Sequence, residues 1–263
     1  MLTKIFKYIF LIALAAVFTS CESNDGIVPK GTSDLRANSK VLVESFTNTS
    51  CVGCPAADNY LKRIDELLGV TINDTNVIII ETHSTMFPND PFYNFNAPAN
   101  NARQTYYGAG SINPMGFLMG ALMPLPFEQQ GWTSSINQRL NKTNTFGINV
   151  VSNIDTISRQ LGLTLQIGQF TGSAVSDLKL HVALTESDLH YAAPNGLSVF
   201  DNVLRGLLTP IGGESITVNP GQSITLAKTY DIDSHVVLSN CKVVIYIQSE
   251  STKEIFAVEK VNL

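Results

Sequence analysis

The sequence predicts two fold classes in series: an α/β unit over residues 40–145 and an all-β antiparallel sandwich over residues 146–263. Three observations carry this expectation. An apolar run, Val41 to Phe46, is followed by Cys51-Val52-Gly53-Cys54-Pro55 and then by apolar positions at helical spacing. The continuous apolar run Val77-Ile78-Ile79-Ile80 has the length and composition of a strand covered on both faces, as in α/β sheets. From about Phe146 the texture changes to period-two alternation between turn residues, the pattern of short antiparallel strands. A chain of 263 residues also exceeds the usual size of one domain.

At the N-terminus, Lys4 and Lys7 precede an apolar run from Tyr8 to Phe18, which ends in Thr19-Ser20-Cys21. This is a charged n-region, an apolar stretch too short to span a bilayer comfortably, and a small-residue cleavage site. A Cys directly after the small residues resembles the lipobox of bacterial lipoproteins. The resemblance implies a signal peptide over residues 1–20 and lipidation at Cys21; a plain secretory signal or an anchor helix is the alternative. Residues 21–39 are polar and lack apolar periodicity, so they read as a flexible tether.

In the α/β unit, Ala57, Tyr60, Leu61, Ile64, Leu67 and Leu68 predict a helix over 55–68 that stops at Gly69. After a strand over 76–82, residues 84–97 read as a loop rich in Pro, Asn and aromatics. A second helix over 97–107 stops at Gly108, a strand pair spans about 115–123, and a closing helix covers about 127–140 with Trp132, Ile136 and Leu140 on one face. In the second half, Leu161, Leu163, Leu165 and Ile167 alternate with polar residues, as do Leu178 to Leu184 and Val243, Ile245 and Ile247.

A Cys-x-x-Cys at the mouth of a helix has a physical purpose. The helix start leaves N–H groups unpaired and carries the positive end of the dipole, which stabilises a thiolate at Cys51. Cys54, one turn along, is placed to resolve a mixed disulfide. In an exported chain the pair is expected to rest as a disulfide. A crosslink spanning so short a loop adds only about 2 kcal/mol in the chain-entropy picture, which favours a redox origin over a stabilising one. The arrangement resembles thiol–disulfide proteins of the thioredoxin type, and the first unit is expected to be thioredoxin-like. By that resemblance Glu44 is the buried acid that carries the proton of the second thiol, and Pro114 is a cis-proline facing the disulfide.

The remaining chemistry-bearing residues read more plainly. His83 follows the second strand and so falls at the carboxyl end of the sheet, where α/β sheets place ligands; a hydrogen-bonded structural histidine is the alternative. His181, His190 and His235 show no metal-ligand spacing, so neither a metal nor a cofactor is expected. Cys241 shares the parity of Val243 and Ile245 and reads as an inert buried thiol. Arg205, within an apolar segment, requires a buried partner or a ligand. The aromatic loop over 87–95 is either a contact surface or a cover over a small core. A net charge of −5 and a pI near 5.3 argue against nucleic acid or anionic lipid as the main partner.

Several pieces together resemble the Omp28-related outer-membrane lipoproteins of Bacteroidetes. They are Val41 to Thr47 with Cys51 to Pro55, the strand ending Glu81-Thr82-His83, Tyr107-Gly108 leading to Pro114, Phe200 to Gly206, and Val243 to Gln248 with Lys253-Glu254-Ile255. The chain departs from the pattern at Ser50, where the family and thioredoxins usually carry Trp, and at Asp201, where relatives often have His. The turn from Glu44 to Cys51 is one residue longer than in thioredoxins. The resemblance implies a thioredoxin-like domain, a β-domain and an outer-membrane anchor, without fixing an activity. Two functions remain open: a tethered thiol–disulfide oxidoreductase acting on exported proteins, and a binding or assembly lipoprotein that meets envelope or surface proteins. The residues do not indicate which face of the membrane is used.

Overall fold

The computed structural model describes residues 35–68, 76–87 and 89–263, together with the backbone of Lys30–Gly31. The expected signal peptide and Cys21 lie outside the described residues. In chain order the elements are β1 (Lys30–Gly31), β2 (Val41–Thr47), α1 (Cys54–Lys62), α2 (Ile64–Leu67), β3 (Val77–His83), α3 (Pro91–Phe95), α4 (Ala97–Tyr107), β4 (Met115–Leu118), β5 (Ala121–Leu122) and α5 (Gln129–Leu140). There follow β6 (Phe146–Asp155), β7 (Gln160–Gln169), β8 (Leu178–Glu186), β9 (Leu189–His190), β10 (Val199–Phe200), β11 (Val203–Leu207), β12 (Glu214–Ser215), β13 (Ser223–Asp231), β14 (Cys241–Ser249) and β15 (Ile255–Asn262).

The elements of the first half fall close to the sequence periodicities, with two differences. The expected helix over 55–68 divides at Arg63 into α1 and α2. The expected loop over 84–97 contains α3, started by Asp90, whose side chain accepts from the N–H groups of Phe92 and Tyr93. An Asp at the N-cap before a Pro is a strong local start signal, so this short helix was legible in Asp90-Pro91.

The predicted fold class requires correction. A thioredoxin-like α/β domain followed by a separate all-β sandwich is not what the chain forms. Its strands instead join into one mixed nine-stranded sheet in the order β15-β14-β8-β11-β3-β2-β4-β5, with β12 paired to β8. The parallel pair β2 and β3 is continued by β11, which also runs parallel to β3 and meets it at Val203 and Glu81. The other face-forming sheet is small and antiparallel, in the order β1-β6-β7-β13.

The reason lies in strands that are buried on both faces. In β14, Val243, Ile245 and Ile247 pack with Leu161, Leu163 and Leu165 of β7, in a core shared with the four-stranded sheet. The intervening Val244 and Tyr246 join a second core with Val41, Leu42, Val43 and Ile78, together with Tyr60, Leu61 and Trp132 from the helices. Alternating apolar residues had marked one face of β14 as inward, but the other face is equally buried and belongs to the first half of the chain. Burial of this kind, at about 25 cal/mol per Å² of apolar surface, holds both cores to the same sheet.

A buried polar network reinforces the junction. Arg103 of α4 donates to both carboxylate oxygens of Glu44 on β2 at 2.9 and 2.7 Å. Tyr107 donates to the same carboxylate at 2.6 Å, and Gln248 of β14 donates to the Tyr107 hydroxyl at 3.0 Å. Replacing Arg103 with Met leaves the Glu44 carboxylate buried without its cation, so the expected loss of stability by urea unfolding is about 3–5 kcal/mol. The double variant Glu44→Leu/Arg103→Met is expected to recover much of that loss. A single-variant loss below about 1 kcal/mol would show that the network is not buried as described.

Candidate functional site

Three loops meet at one end of the parallel strands. The chain leaving β2 makes a tight turn, with the Cys51 N–H bonded to the Asn48 carbonyl at 3.1 Å and the Cys54 N–H to the Cys51 carbonyl at 3.3 Å. Cys54 opens α1, Pro55 occupies the first turn where a missing N–H costs nothing, and Cys51 and Cys54 are joined as a disulfide. Asn113–Pro114 is a cis peptide bond, and a Cβ built on Gly53 would lie 3.5 Å from Pro114 Cδ, so the Cys51–Cys54 turn passes beside the proline ring. Asn113 donates to Ser84 Oγ at 2.5 Å, which ties the Pro114 loop to the loop after β3. From the second half, the Asn195 N–H donates to the Thr49 carbonyl at 3.0 Å.

Both sulfurs are nearly sealed, with Cys51 3% and Cys54 1% exposed, whereas Val52 between them is 90% exposed. Ile112, two residues before Pro114, and Met86, whose N–H bonds Ser84 Oγ, are also exposed apolar side chains. Solvent at this end therefore meets Val52 and Gly53 over two buried cysteines, while Pro114 is itself buried.

Below the disulfide lies a set of buried ionisable groups. Asp58 sits one helical turn after Cys54 on α1, hence on the same helix face, and pairs with Lys62 at 3.0 Å. Burial raises its carboxyl pKa against the attraction of Lys62, and the charge of Asp201 adds to the rise. Glu81 of β3 is fully enclosed; burial and then the Asp58 charge push it well above the ordinary carboxylate range. His83 lies two residues further along the same strand face. Its Nδ1 is 2.8 Å from Asp90 Oδ2, which also accepts the Thr49 N–H at 2.8 Å. Burial tends to raise Asp90, but the bonds from His83 and from the Thr49 and Tyr93 amides hold it below its usual value.

Of the residues picked out from sequence, Cys51, Cys54 and Pro114 come together. Glu44 spends both carboxylate oxygens on Arg103 and Tyr107. His83 is buried beside the site, in ring contact with Phe92 and Phe200. Arg205 pairs with Glu186 at 2.8 Å and lies over the Phe95 ring. His181 stacks on Tyr246, and burial lowers its pKa to about 3. His190 and His235 sit exposed beside Asp188 and Asp233. Burial pushes the Cys241 thiol up to about 12. Among the described residues no cluster of three or more His, Cys, Asp or Glu is arranged to hold a metal ion. Asp58, Glu81 and Asp90 were not picked out from sequence. The available signals were an acid four residues after Cys54, an acid inside an apolar strand, and an Asp-Pro helix start.

Glu81 gives a direct test of this electrostatic picture. Because its folded-state pKa is raised, the native protein holds its proton more tightly than the unfolded chain does. Stability is therefore lost as pH rises from the ordinary value of 4.5 through the folded value. Glu81→Gln removes this loss, so its urea midpoint is expected to rise above wild type by a margin that grows with pH. Parallel pH profiles for the two proteins would contradict the assignment.

Comparison with known proteins follows the same outline. Residues 100–263 match the family described as Outer membrane protein Omp28. No curated protein sequence matches the chain. Among solved structures, HBP35 of Porphyromonas gingivalis aligns with a TM-score of 0.69 at 15% identity, covering 88% of this chain and 77% of its own. A single alignment of that extent runs through both halves of the chain, in keeping with one continuous sheet. A domain of the outer membrane lipoprotein Omp28 from Porphyromonas gingivalis aligns over 46% of this chain and 88% of its own at 22% identity, with a TM-score of 0.35. The family match, which spans more than half of the sequence, shows that this chain belongs to the Omp28 family and is a protein of the outer membrane.

Proposed function

We propose that the protein is an outer-membrane lipoprotein, tethered through Cys21, whose Cys51–Cys54 disulfide exchanges with thiols of exported proteins. The observation that carries this reading is a disulfide at a helix start, with the exposed apolar Val52 between its two cysteines and Gly53 beside the ring of Pro114. A partner thiolate attacks the Cys51 sulfur; the Cys51–Cys54 bond breaks, and its electron pair leaves on Cys54. That thiolate forms beside the unpaired N–H groups of the first turn of α1, where negative charge is favoured. A second partner thiolate then attacks the partner sulfur of the mixed disulfide and displaces Cys51. The partner gains a disulfide, Cys51 and Cys54 end as thiols, and the two protons of the partner thiols move onto them. Asp58, on the Cys54 face of α1, is the carboxyl best placed to pass a proton. Glu44 is occupied by Arg103.

A second reading has its own support. The near-complete burial of both sulfurs and the docking of Asn195 onto the Thr49 loop suit a binding or assembly lipoprotein in which the disulfide is at rest. Equilibration of the full chain with glutathione buffers separates the two. Exchange predicts a reduction potential in the range of disulfide exchange proteins, about −270 to −120 mV, whereas a value below about −300 mV supports the second reading and sinks the first. For the tether, Cys21→Ser is expected to abolish incorporation of labelled palmitate in cells, and continued labelling would contradict the anchor.

A further inference from the structure

We propose that one end of the four-stranded sheet, the β6–β7 turn with the loop over 232–238, rests on the bilayer that holds the lipid anchor. Ile157 and Val237 enter its headgroup region. The inference rests on the Cys21 anchor of the reading above and adds the face that the protein turns to the membrane.

The first observation is where the chain that follows the anchor is caught. β1 pairs with β6, with Lys30 opposite Ser152 and Gly31 opposite Val151. The pairing is antiparallel, so the chain enters Lys30 from the side of Asp155 and the β6–β7 turn. Further on, the chain still lies against this sheet. Gly147 and Gly168 are cross-strand partners; a Cβ on Gly147 would collide with the Arg36 carbonyl, and one on Gly168 would meet Leu35 Cδ2 at 3.1 Å. Asn144 holds the same segment, donating its backbone N–H to the Asn38 carbonyl at 2.7 Å and its Nδ2 to the Lys40 carbonyl at 2.9 Å.

Length then fixes the reach. Cys21 precedes Lys30 by nine residues, at most about 30 Å of extended chain at ~3.3–3.6 Å per residue. From Ser152 the end of β6 at Asp155 is three residues on, ~10 Å along the strand. The anchor therefore lies no more than about 20 Å beyond the turn, and any less extended path brings it closer. The opposite end of β6, at Phe146, is ~20 Å from Ser152 in the other direction.

The second observation is what the near end presents. Ile157 is 94% exposed, more than any other large apolar side chain among the described residues, and Val237 is 54% exposed. Both stand on fixed backbone. The Asp155 carboxylate accepts the N–H groups of Ile157 and Ser158 at 2.8 and 3.1 Å, and the Val237 N–H donates to Glu186 at 2.7 Å. Arg159 joins turn to loop, donating to the carbonyls of Ile232, Asp233 and Val236 at 3.2, 2.6 and 2.8 Å. Its charge is thereby spent within the protein, while Asp155, Asp231 and Asp233 are exposed at this end. A net-neutral, zwitterionic surface is the fitting partner, met by apolar side chains rather than by charge. Two such side chains bind a bilayer weakly alone, but the anchor keeps them beside it at high local concentration.

The test compares hydrogen exchange on and off a bilayer. The chain from Cys21 to Leu263, which keeps every described residue, is coupled through Cys21 to a maleimide lipid in phosphatidylcholine vesicles. The control is the same chain coupled to a soluble maleimide. Cys51 and Cys54 are joined and Cys241 is 1% exposed, so Cys21 is the reactive thiol. On vesicles, peptides covering 155–160 and 232–238 are expected to exchange about fivefold more slowly, while 169–173, at the opposite end, is unchanged. Ile157→Asp combined with Val237→Asp is expected to lose the slowing. Unchanged exchange at both peptides, or equal slowing at 169–173, would overturn the proposal. Slowing that appears in the soluble form as its concentration rises would give this face to a second copy and overturn it too. The anchor is supplied chemically, so these outcomes do not depend on acylation in cells. A chain that takes up no palmitate at Cys21 would remove the lipoprotein reading without altering them.

Discussion

The constraint on which the structure depends is the parallel pairing of β3 with β11. The Glu81 N–H donates to the Asn202 carbonyl at 2.8 Å, and Val203 lies in register with Glu81. Asn202 reaches this position in the left-handed backbone region, φ 54°, which asparagine adopts at less cost than most residues. Through this contact the second half of the chain becomes the continuation of the first half's sheet. Both faces of β8 and β14 are then covered, one by the helices and β2–β3, the other by the four-stranded sheet.

The pairing also creates the chemistry of the site. With β11 along its outer edge, β3 is an interior strand, and Glu81 and His83 are enclosed rather than solvated. The neighbouring Asp201 and Val199 reach Lys62, which in turn pairs with Asp58 under the disulfide. A second-half loop caps the approach to Cys51 through Asn195. The candidate site is thus walled by both halves of the chain. Burial makes it sensitive to charge, because ionised carboxylates away from water are costly unless they are paired.

Much of the local structure was legible in the sequence. Val77 to Ile80 announced a strand covered on both faces, Gly108 marked the end of α4, and Cys51-x-x-Cys54-Pro55 marked the start of α1. What could not be read was which strands would cover β3. Apolar alternation identifies a buried face but does not name its neighbour, and a parallel partner more than 120 residues away leaves no local trace. Val244 and Tyr246, which lie between the alternating residues Val243, Ile245 and Ile247, are the clearest case, since only the assembled sheet shows them joining the first core. The site followed the same division. Cys51, Cys54 and Pro114 carry motif-level signals. Glu81, His83 and Asp90 acquire their character from burial, which is a tertiary property, and Glu44 was claimed by Arg103 from a helix 59 residues away.

A site walled by both halves of the chain requires the two halves to be one cooperative structure. Trp132, the only tryptophan in the sequence, lies in the core against β2–β3 and reports on the first half. Hydrogen exchange in peptides covering 160–169 and 223–231 reports on β7 and β13 at the far side of the second. Following both across one equilibrium urea titration of the oxidised protein tests the claim most directly. A single sheet predicts coincident midpoints and one transition. Well-separated midpoints, with one half protected while Trp132 is already exposed, would show two independent domains and contradict the account.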